Sequence, residues 1–384
     1  MRQRKRTTRL ASGLLLTAVA ALSAQACTSA AGGTATAAGA AGSSSSVSSD
    51  AVWPQLTLSS AQAAFRSYAT TSDQAAQTGN RTLALSVLTG MASDAMSIQY
   101  LLTKQSGTLP PYTRYTYGTP AFYLPKPPGA GQPQYFVANV ARTLVPGTTA
   151  MTSSGQDKAA GVQLPSSGRV LMLFEKSASS GHWRLASLSQ LAPGQAVPAL
   201  ATDSHGYAIV ESLGAPSSTA LVRPALAPAL QATVVDDGPS SAASQVVASG
   251  PLTTGMYDQA ASAARGITAP PGDVHQWLLE GSSYARLALA TADGGVLVLY
   301  SMYLNNIVET KSALDQDISV TSGPAIAVPD FVKPLLPASR WTPHTRLQVQ
   351  DILSFAAIDP PAAQSGQKIQ VIAIGGGLRY AYSN

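Results

Sequence analysis

The sequence predicts an α+β fold in which helices precede runs of antiparallel strands. Apolar residues recur every three or four positions in segments 58–79 and 81–104, which is typical of amphipathic helices. After each helical region, β-branched and aromatic segments alternate with short turn sequences. Runs of strands that follow runs of helices favour α+β layers over a parallel sheet with crossover helices.

Two helices are predicted at the start of the folded part, which begins near Trp53. Leu58-Ser59-Ser60 offers a hydroxyl cap for the first helix, and Gly79 ends it. The second helix is predicted to run from Arg81 to Lys104 and to form an antiparallel pair with the first. Gly90 inside it costs about 1 kcal/mol relative to alanine, which suggests a close packing neighbour there.

Strand patterns fill most of the remaining chain. In the first half they cover Tyr112–Tyr123, Tyr135–Thr143, Arg169–Lys176 and His182–Leu191. The second half starts with helical segments at Thr219–Val235 and Tyr257–Arg265, and its strands are Val274–Glu280, Tyr284–Ala292, Val296–Val308, Arg346–Phe355 and Lys368–Ile374. Asp293-Gly294-Gly295 between two of these strands is a strong hairpin signal.

The N-terminus has the three parts of an export signal. A basic segment up to Arg9 precedes an apolar run over 10–22, which is shorter than the ~20 residues that a membrane-spanning helix needs. Ala24-Gln25-Ala26 fits signal cleavage, and Cys27, the single cysteine of the chain, follows directly. This order resembles a bacterial lipobox, in which the new N-terminal cysteine is lipidated. Plain secretion with a free thiol is the alternative.

The charge pattern argues against a nucleic-acid partner. Five of the 24 basic residues lie in the first ten positions and no acidic residue precedes Asp50, so 19 basic and 19 acidic residues remain after position 26. Binding to nucleic acid requires a cluster of basic side chains. Residues 28–50 contain only small residues, threonine, valine and one aspartate, which predicts a flexible tether.

The organisation resembles known proteins at two levels. Phe174-Glu175 with the strand His182-Trp183-Arg184-Leu185, and Leu287–Tyr300 around its turn, resemble the cone-shaped fold of the nuclear transport factor 2 and ketosteroid isomerase superfamily. Two such units after a lipobox and a tether resemble uncharacterised secreted lipoproteins of actinobacteria. The resemblance implies two tandem cone-like units, each with N-terminal helices packed on a curved antiparallel sheet. The insertion at 310–345 departs from this pattern.

The expected segments follow from these observations. They are a signal peptide at 1–26, the lipidated Cys27 with its tether over 27–52, a first α+β unit at 53–195 and a second unit at 196–384.

No motif in the sequence indicates catalysis, a metal or a cofactor. Thr202-Asp203-Ser204-His205 contains the residue types of a catalytic triad, but neighbours in a chain rarely face each other, so a solvated loop is expected. Gly375-Gly376-Gly377 lacks the lysine of a phosphate loop and predicts a bulge or bend in a terminal strand. Asp236-Asp237 with Asp315 and Asp317 lacks a calcium-loop pattern. The four histidines, His182, His205, His275 and His344, match no ligand spacing.

Aromatic residues are concentrated in the first half, at Tyr112, Tyr115, Tyr117, Phe122, Tyr123, Tyr135 and Phe136. Tyrosine suits a sugar or peptide contact because it is apolar on one side and polar on the other. The favoured interpretation is that these residues line the sheet as core.

Two functions agree with the sequence. The first is a non-catalytic binding or envelope-assembly module, anchored by its lipid to the outer face of a cell membrane. Its partner would be an envelope protein, wall glycan or a small apolar ligand. The second is an enzyme that uses acid–base chemistry in an apolar cone, for which Asp351 and Asp359 are the carboxylates of interest.

Overall fold

Helices and one large antiparallel sheet form the fold in the computed structural model. It describes residues 56–106, 113–129, 132–146, 165–177, 181–215, 219–266, 274–310, 326–364 and 366–384. These ranges belong to one compact unit, Asp50–Asn384. The helices are α1 (Leu58–Thr78), α2 (Arg81–Ser86), α3 (Gly90–Ser106), α4 (Ala227–Asp237) and α5 (Thr254–Gly266). The strands are β1 (Tyr115–Tyr117), β2 (Ala121–Tyr123), β3 (Gln134–Leu144), β4 (Gly168–Lys176), β5 (Trp183–Leu191), β6 (Val274–Gly281), β7 (Leu287–Ala290), β8 (Val296–Glu309), β9 (Arg346–Asp359) and β10 (Gln370–Ser383).

Helix α1 is capped close to where the sequence predicts. Its N-cap is Thr57, whose hydroxyl oxygen accepts a hydrogen bond from the Ser60 backbone N–H at 3.2 Å. Ser60 Oγ accepts in turn from the Thr57 backbone N–H at 3.1 Å, which completes a capping box. Gly79 ends the helix in the left-handed conformation, with φ 65°.

The prediction of one continuous helix over Arg81–Lys104 is wrong. The chain leaves the helix at 87–89, where Leu185 of β5 donates to the Val87 carbonyl and accepts from the Thr89 N–H, both at 2.9 Å. Backbone groups that bond to a strand are no longer available to a helix. Gly90 has φ 52°, in the left-handed region that favours glycine, so α3 starts in a new direction.

The sheet confirms the α+β class. Its strand order is β1-β3-β4-β5-β10-β9-β8-β6, with β2 paired to β3 and β7 paired to β8. Strand β5 joins β10 through Leu191 opposite Ala373 and Gln190 opposite Ile374. The two expected units at 53–195 and 196–384 therefore share one hydrogen-bonded sheet, and their division into two cones stays a prediction. We call the region around this junction the seam.

Two strands differ from the sequence-based expectation. The predicted strand over Tyr112–Tyr123 is split into β1 and β2 by 118–120, where Pro120 lacks the N–H that a ladder needs. Strand β10 is longer than predicted, because it continues through 375–377 to Ser383. Register shifts flank these glycines at Val371/Ala373 and Leu378/Tyr380. The expected irregularity is thus present on both sides of the glycines.

Apolar clusters fill both faces of the sheet. One cluster packs beneath α1, and another packs beneath α4 and α5. A third, the seam core, brings strands of the two halves into contact; its members include Val137, Leu171, Leu173, Leu287, Leu289, Leu297, Leu299 and Ile372. The seam core therefore holds both halves in one body.

The predicted signal peptide, Cys27 and tether lie outside the described residues. Positions 311–325 of the expected insertion lie outside them as well. Within the described ranges, none of the helices combines the length and apolar character that crossing a bilayer requires.

Candidate functional site

A cleft of about 500 Å³ opens beside the seam core. Volumes of this size are typical of small-molecule sites, which favour junctions between structural units. We call it the seam cleft; it is lined by Leu56, Pro125, Lys126, Pro127, Pro128, Gln132, Pro133, Gln134, Tyr135, Val210, Glu211, Ser212, Leu213, Gly214, Arg286, Leu287 and Ala288.

One wall of the seam cleft consists of the proline-rich residues 125–128 and 132–133, which lie between β2 and β3. Pro125, Pro127, Pro128 and Pro133 each fix a backbone φ angle, so the wall loses little entropy when a ligand binds. The Leu124 carbonyl accepts a hydrogen bond from the Ala208 N–H at 2.9 Å, which ties this wall to the opposite side.

The other wall is a segment that pairs with β7. The Glu211 N–H donates to the Ala288 carbonyl at 3.0 Å, and the Ala290 N–H donates to the Ile209 carbonyl at 2.9 Å. Val210, between these bonds, lines the cleft and is 49% exposed. Hydrogen bonds therefore hold the backbone of this wall in place, and an apolar surface remains open to solvent.

Tyr135 brings an amphipathic ring to the cleft. It lies on β3 directly opposite Glu175 of β4. Burial raises the pKa of Tyr135 to about 12, and it also raises the pKa of Glu175. The phenol is therefore protonated at neutral pH and is available as a hydrogen-bond donor.

Three charged side chains, Lys126, Glu211 and Arg286, complete the lining. Arg286 Nη2 donates to the Ser282 carbonyl at 2.6 Å, which fixes part of the guanidinium. Among the described ranges, none of these three side chains forms an ion pair within 4.0 Å. The cleft thus combines apolar walls with three charged side chains, of which Lys126 is near enough to Asp203 to lower the pKa of that carboxyl.

A second polar cluster joins α3 to the sheet. The Tyr284 hydroxyl donates to Asp94 of α3, and Arg379 Nε lies 3.9 Å from the same carboxylate. Arg379 also donates to Gln350 Oε1 at 2.6 Å and lies 4.8 Å from the ring centre of Tyr303. Burial and the bond to Asp94 raise the pKa of Tyr284. Since its groups bond to each other, this cluster fits a structural role.

Asp351 and Asp359, the two carboxylates that the sequence selects, lie outside the seam cleft. Asp351 is 3% exposed, and burial raises its pKa to about 7. Asp359 Oδ2 accepts from the Val222 N–H at 3.3 Å, while its buried Oδ1 has no partner among the described residues. Burial raises the pKa of Asp359 to about 6. The structure does not bring these two carboxylates together with other reactive groups into one site.

The segment 202–205 forms the solvated loop that the sequence predicts. Asp203 Oδ1 accepts backbone hydrogen bonds from His205 at 2.9 Å and Tyr207 at 3.0 Å. These bonds lower the pKa of Asp203, and the bond from Tyr207 has the largest effect. Ser204 and His205 contact each other at 3.3 Å but both are exposed. Asp203 therefore stabilises a turn instead of orienting a histidine for catalysis.

The acidic pair Asp236-Asp237 lies at the end of α4, where Asp236 connects the helix to β6. Asp236 Oδ1 accepts from the Leu279 N–H at 3.0 Å, and burial raises its pKa to about 6. Asp315 and Asp317 lie outside the described residues. Across the described part of the chain, no three His, Cys, Asp or Glu side chains are grouped as a metal site would require.

Most of the aromatic residues form core, which confirms the favoured interpretation. Phe136 stacks on Phe174 with ring centres 4.6 Å apart, and Phe65 contacts Tyr117 edge-on at 5.4 Å. Tyr112 lies outside the described residues. Tyr135 differs from this group because it lines the seam cleft.

Sequence reasoning missed the cleft because its residues come from four separate segments. The signal that was present is the high proline content of the connection 124–134. That pattern indicates a loop, and it does not reveal which segment lies opposite.

Comparison with family models matches residues 52–378 to the family described as Domain of unknown function (DUF8094). Comparison with curated proteins and with solved structures gives no match. Since the matched residues cover most of the sequence, the chain belongs to the DUF8094 family.

Proposed function

We propose that the protein is a lipid-anchored extracytoplasmic binding module that holds a small, mainly apolar ligand in the seam cleft. The observation that carries this proposal is the cleft itself, with its volume of about 500 Å³, its four prolines and its three charged side chains. A preformed wall of this kind favours binding, because little ordering entropy is lost when the ligand enters.

The anchor is supported by the order of segments before the folded part. A basic start, a short apolar run and a cysteine after Ala24-Gln25-Ala26 are the features of a lipobox. A chain with the length and composition of residues 28–50 has an end-to-end distance of roughly 25 Å on average.

This arrangement suggests the partners. The membrane would be reached through the lipid on Cys27, and an envelope protein or wall glycan would lie within reach of the tethered part. The balance of 19 basic and 19 acidic residues after position 26 gives no support to nucleic-acid binding.

An enzyme with acid–base chemistry is the second candidate. Asp351 favours it, because a carboxyl with a pKa of about 7 can give and take a proton at neutral pH. Asp351 does not line the seam cleft, and a reaction there would require access to a residue that is 3% exposed. Binding is therefore the better-supported function.

Native mass spectrometry of the lipid-free chain, purified from an actinobacterial host, tests the proposal. We expect a non-covalent adduct of a few hundred daltons. Gly214→Trp is the matched variant, because Gly214 lines the cleft and a Cβ there meets no atom within 4 Å. The variant should fold and lose the adduct. An adduct that persists in Gly214→Trp would place the ligand elsewhere, and a chain without any adduct would argue against a resident ligand.

A further inference from the structure

We infer that the ligand of the seam cleft is an organic anion, with an apolar ring or short chain as its body and one acidic head group. This inference rests on the proposed function and adds the chemical class of the ligand.

The walls determine the body of the ligand. Pro127, Pro128 and Pro133 present saturated rings in fixed conformations, and Tyr135 adds an aromatic ring. Flat apolar molecules pack well against such rings, because many weak dispersion contacts form at once. The volume of about 500 Å³ suits a molecule with one to three rings.

The charges determine the head group. Lys126 and Arg286 bring two positive charges to the lining of the cleft, and Glu211 brings one negative charge. Asp203, outside the lining, also interacts electrostatically with Lys126, so Arg286 is the cation on which the inference depends. None of the three has an ion-pair partner among the residues that the structure describes. Arg286 is half-buried beside apolar walls, so it attracts an anion more strongly than the same cation in open water, because the local dielectric constant is lower; Lys126 is exposed and gains less.

Arg286 is the better placed of the two cations for directional recognition. Its bond to the Ser282 carbonyl uses one N–H of the guanidinium and holds the group in position. The remaining N–H groups form the planar fork that binds carboxylates and sulfonates. Glu211 would repel a second negative charge, which limits the ligand to one acidic group.

Two matched fluorescent probes test the inference on residues 50–384, which contain every described core cluster. 1-Anilinonaphthalene-8-sulfonate and N-phenyl-1-naphthylamine share one framework, and only the first carries a negative charge. We expect the sulfonate to bind at least tenfold more tightly. Arg286→Gln should weaken the sulfonate about tenfold and leave the neutral probe unchanged, which is the effect of losing one charge-assisted contact.

Three controls make the result specific. Arg81→Gln removes an exposed arginine outside the cleft and should change neither affinity. Gly214→Trp should weaken both probes by filling the cleft. If Arg286→Gln fails to fold, Lys126→Gln replaces it, because Lys126 has no ion pair in the described ranges to lose.

The outcomes separate the inference from the proposed function. Equal affinity for the two probes would overturn the anion preference and leave a cleft for neutral apolar ligands. Sulfonate binding that Arg286→Gln and Lys126→Gln leave unchanged would overturn it as well. Probe binding that survives Gly214→Trp unchanged would overturn the cleft as the site.

Discussion

Gly375 lies so close to Leu188 that no side chain fits between β10 and β5. A Cβ placed on Gly375 lies 1.9 Å from the Leu188 carbonyl oxygen. Only two residue pairs, Leu191 with Ala373 and Gln190 with Ile374, align these strands in the described sheet. The approach of the two backbones at Gly375 is therefore part of what closes the seam.

Replacement of this glycine should destabilise the protein. We expect Gly375→Ala to lower the free energy of unfolding by about 1–3 kcal/mol or more, because a rigid backbone must move to admit the methyl group. Gly129→Ala is the matched control, since a Cβ there meets nothing within 4 Å. Urea unfolding measures both. Equal stability of the two variants would show that the strands separate at little cost.

The bond from Tyr284 to Asp94 should stabilise the contact between α3 and the sheet. Tyr284→Phe removes the hydroxyl and leaves a partly buried carboxylate with a weaker set of partners. We expect a loss of about 0.5–1.5 kcal/mol in the free energy of unfolding, because the Asp94 side chain is 45% exposed and water replaces part of the lost bond. A double-mutant cycle with Asp94→Ala should give a coupling of at least 0.5 kcal/mol, on the order seen for residues in contact. Additive effects would contradict a direct interaction.

Stability should fall as the pH rises from about 4 to 8. Burial raises the pKa of Asp351 to about 7, so the folded state retains a proton that the unfolded state releases above its ordinary value of 3.8. The group therefore stabilises the fold fully at low pH, and this contribution is lost as the pH rises through 7. A shift of this size corresponds to a loss of about 4 kcal/mol at most.

Asp351→Asn should flatten this pH dependence, as measured by urea unfolding at several pH values. In this variant, a smaller decrease in the free energy of unfolding with rising pH should remain below pH 6 to 7, because burial also raises the pKa values of Asp236 and Asp359 to about 6. Asp330→Asn is the control. Lys333 lowers the pKa of that exposed carboxyl, so its contribution to the pH dependence of stability has the opposite sign. If Asp351→Asn leaves the slope unchanged, Asp351 ionises normally in the fold.

Cys27→Ser tests the proposed anchor. In an actinobacterial host, we expect the wild-type chain in the membrane fraction and labelled by an alkyne fatty acid. The variant should lose the label and move to the medium, because no other segment carries a cysteine for lipid attachment. Wild-type chain in the cytosolic fraction with residues 1–26 intact would contradict export, and an exported chain without the label would indicate plain secretion.

The sequence predicts the elements better than it predicts their contacts. Local signals suffice for α1, because its capping hydroxyls and its terminal glycine directly flank or begin the helix. They also suffice for the hairpin whose turn includes 293–295. They fail at 87–89, where the helix breaks because of hydrogen bonds to Leu185. Leu185 is almost 100 positions away in the sequence, so the local sequence pattern does not predict this contact.

The same limit explains the ends of the strands and the site. The glycines at 375–377 predict a bulge or bend, but the local pattern does not show that β10 continues past them with β5 and β9 close to its backbone. The seam cleft depends on contacts of 125–128 and 132–135 with 210–214 and 286–288, and no sequence spacing relates these segments. The apolar neighbours of Asp351 in the sequence indicate a buried carboxylate. The pairing of Asp94 with Tyr284 spans 190 positions, so no local pattern predicts it.

Hydrogen–deuterium exchange of residues 50–384, with and without saturating N-phenyl-1-naphthylamine, tests the central claim that the seam cleft is a binding site. We predict slower exchange in 132–135, 209–214 and 286–288, and no change when Gly214→Trp fills the cleft. Protection confined to the exposed aromatic residues Phe331, Trp341 and Tyr382, or no protection at all, would contradict the claim.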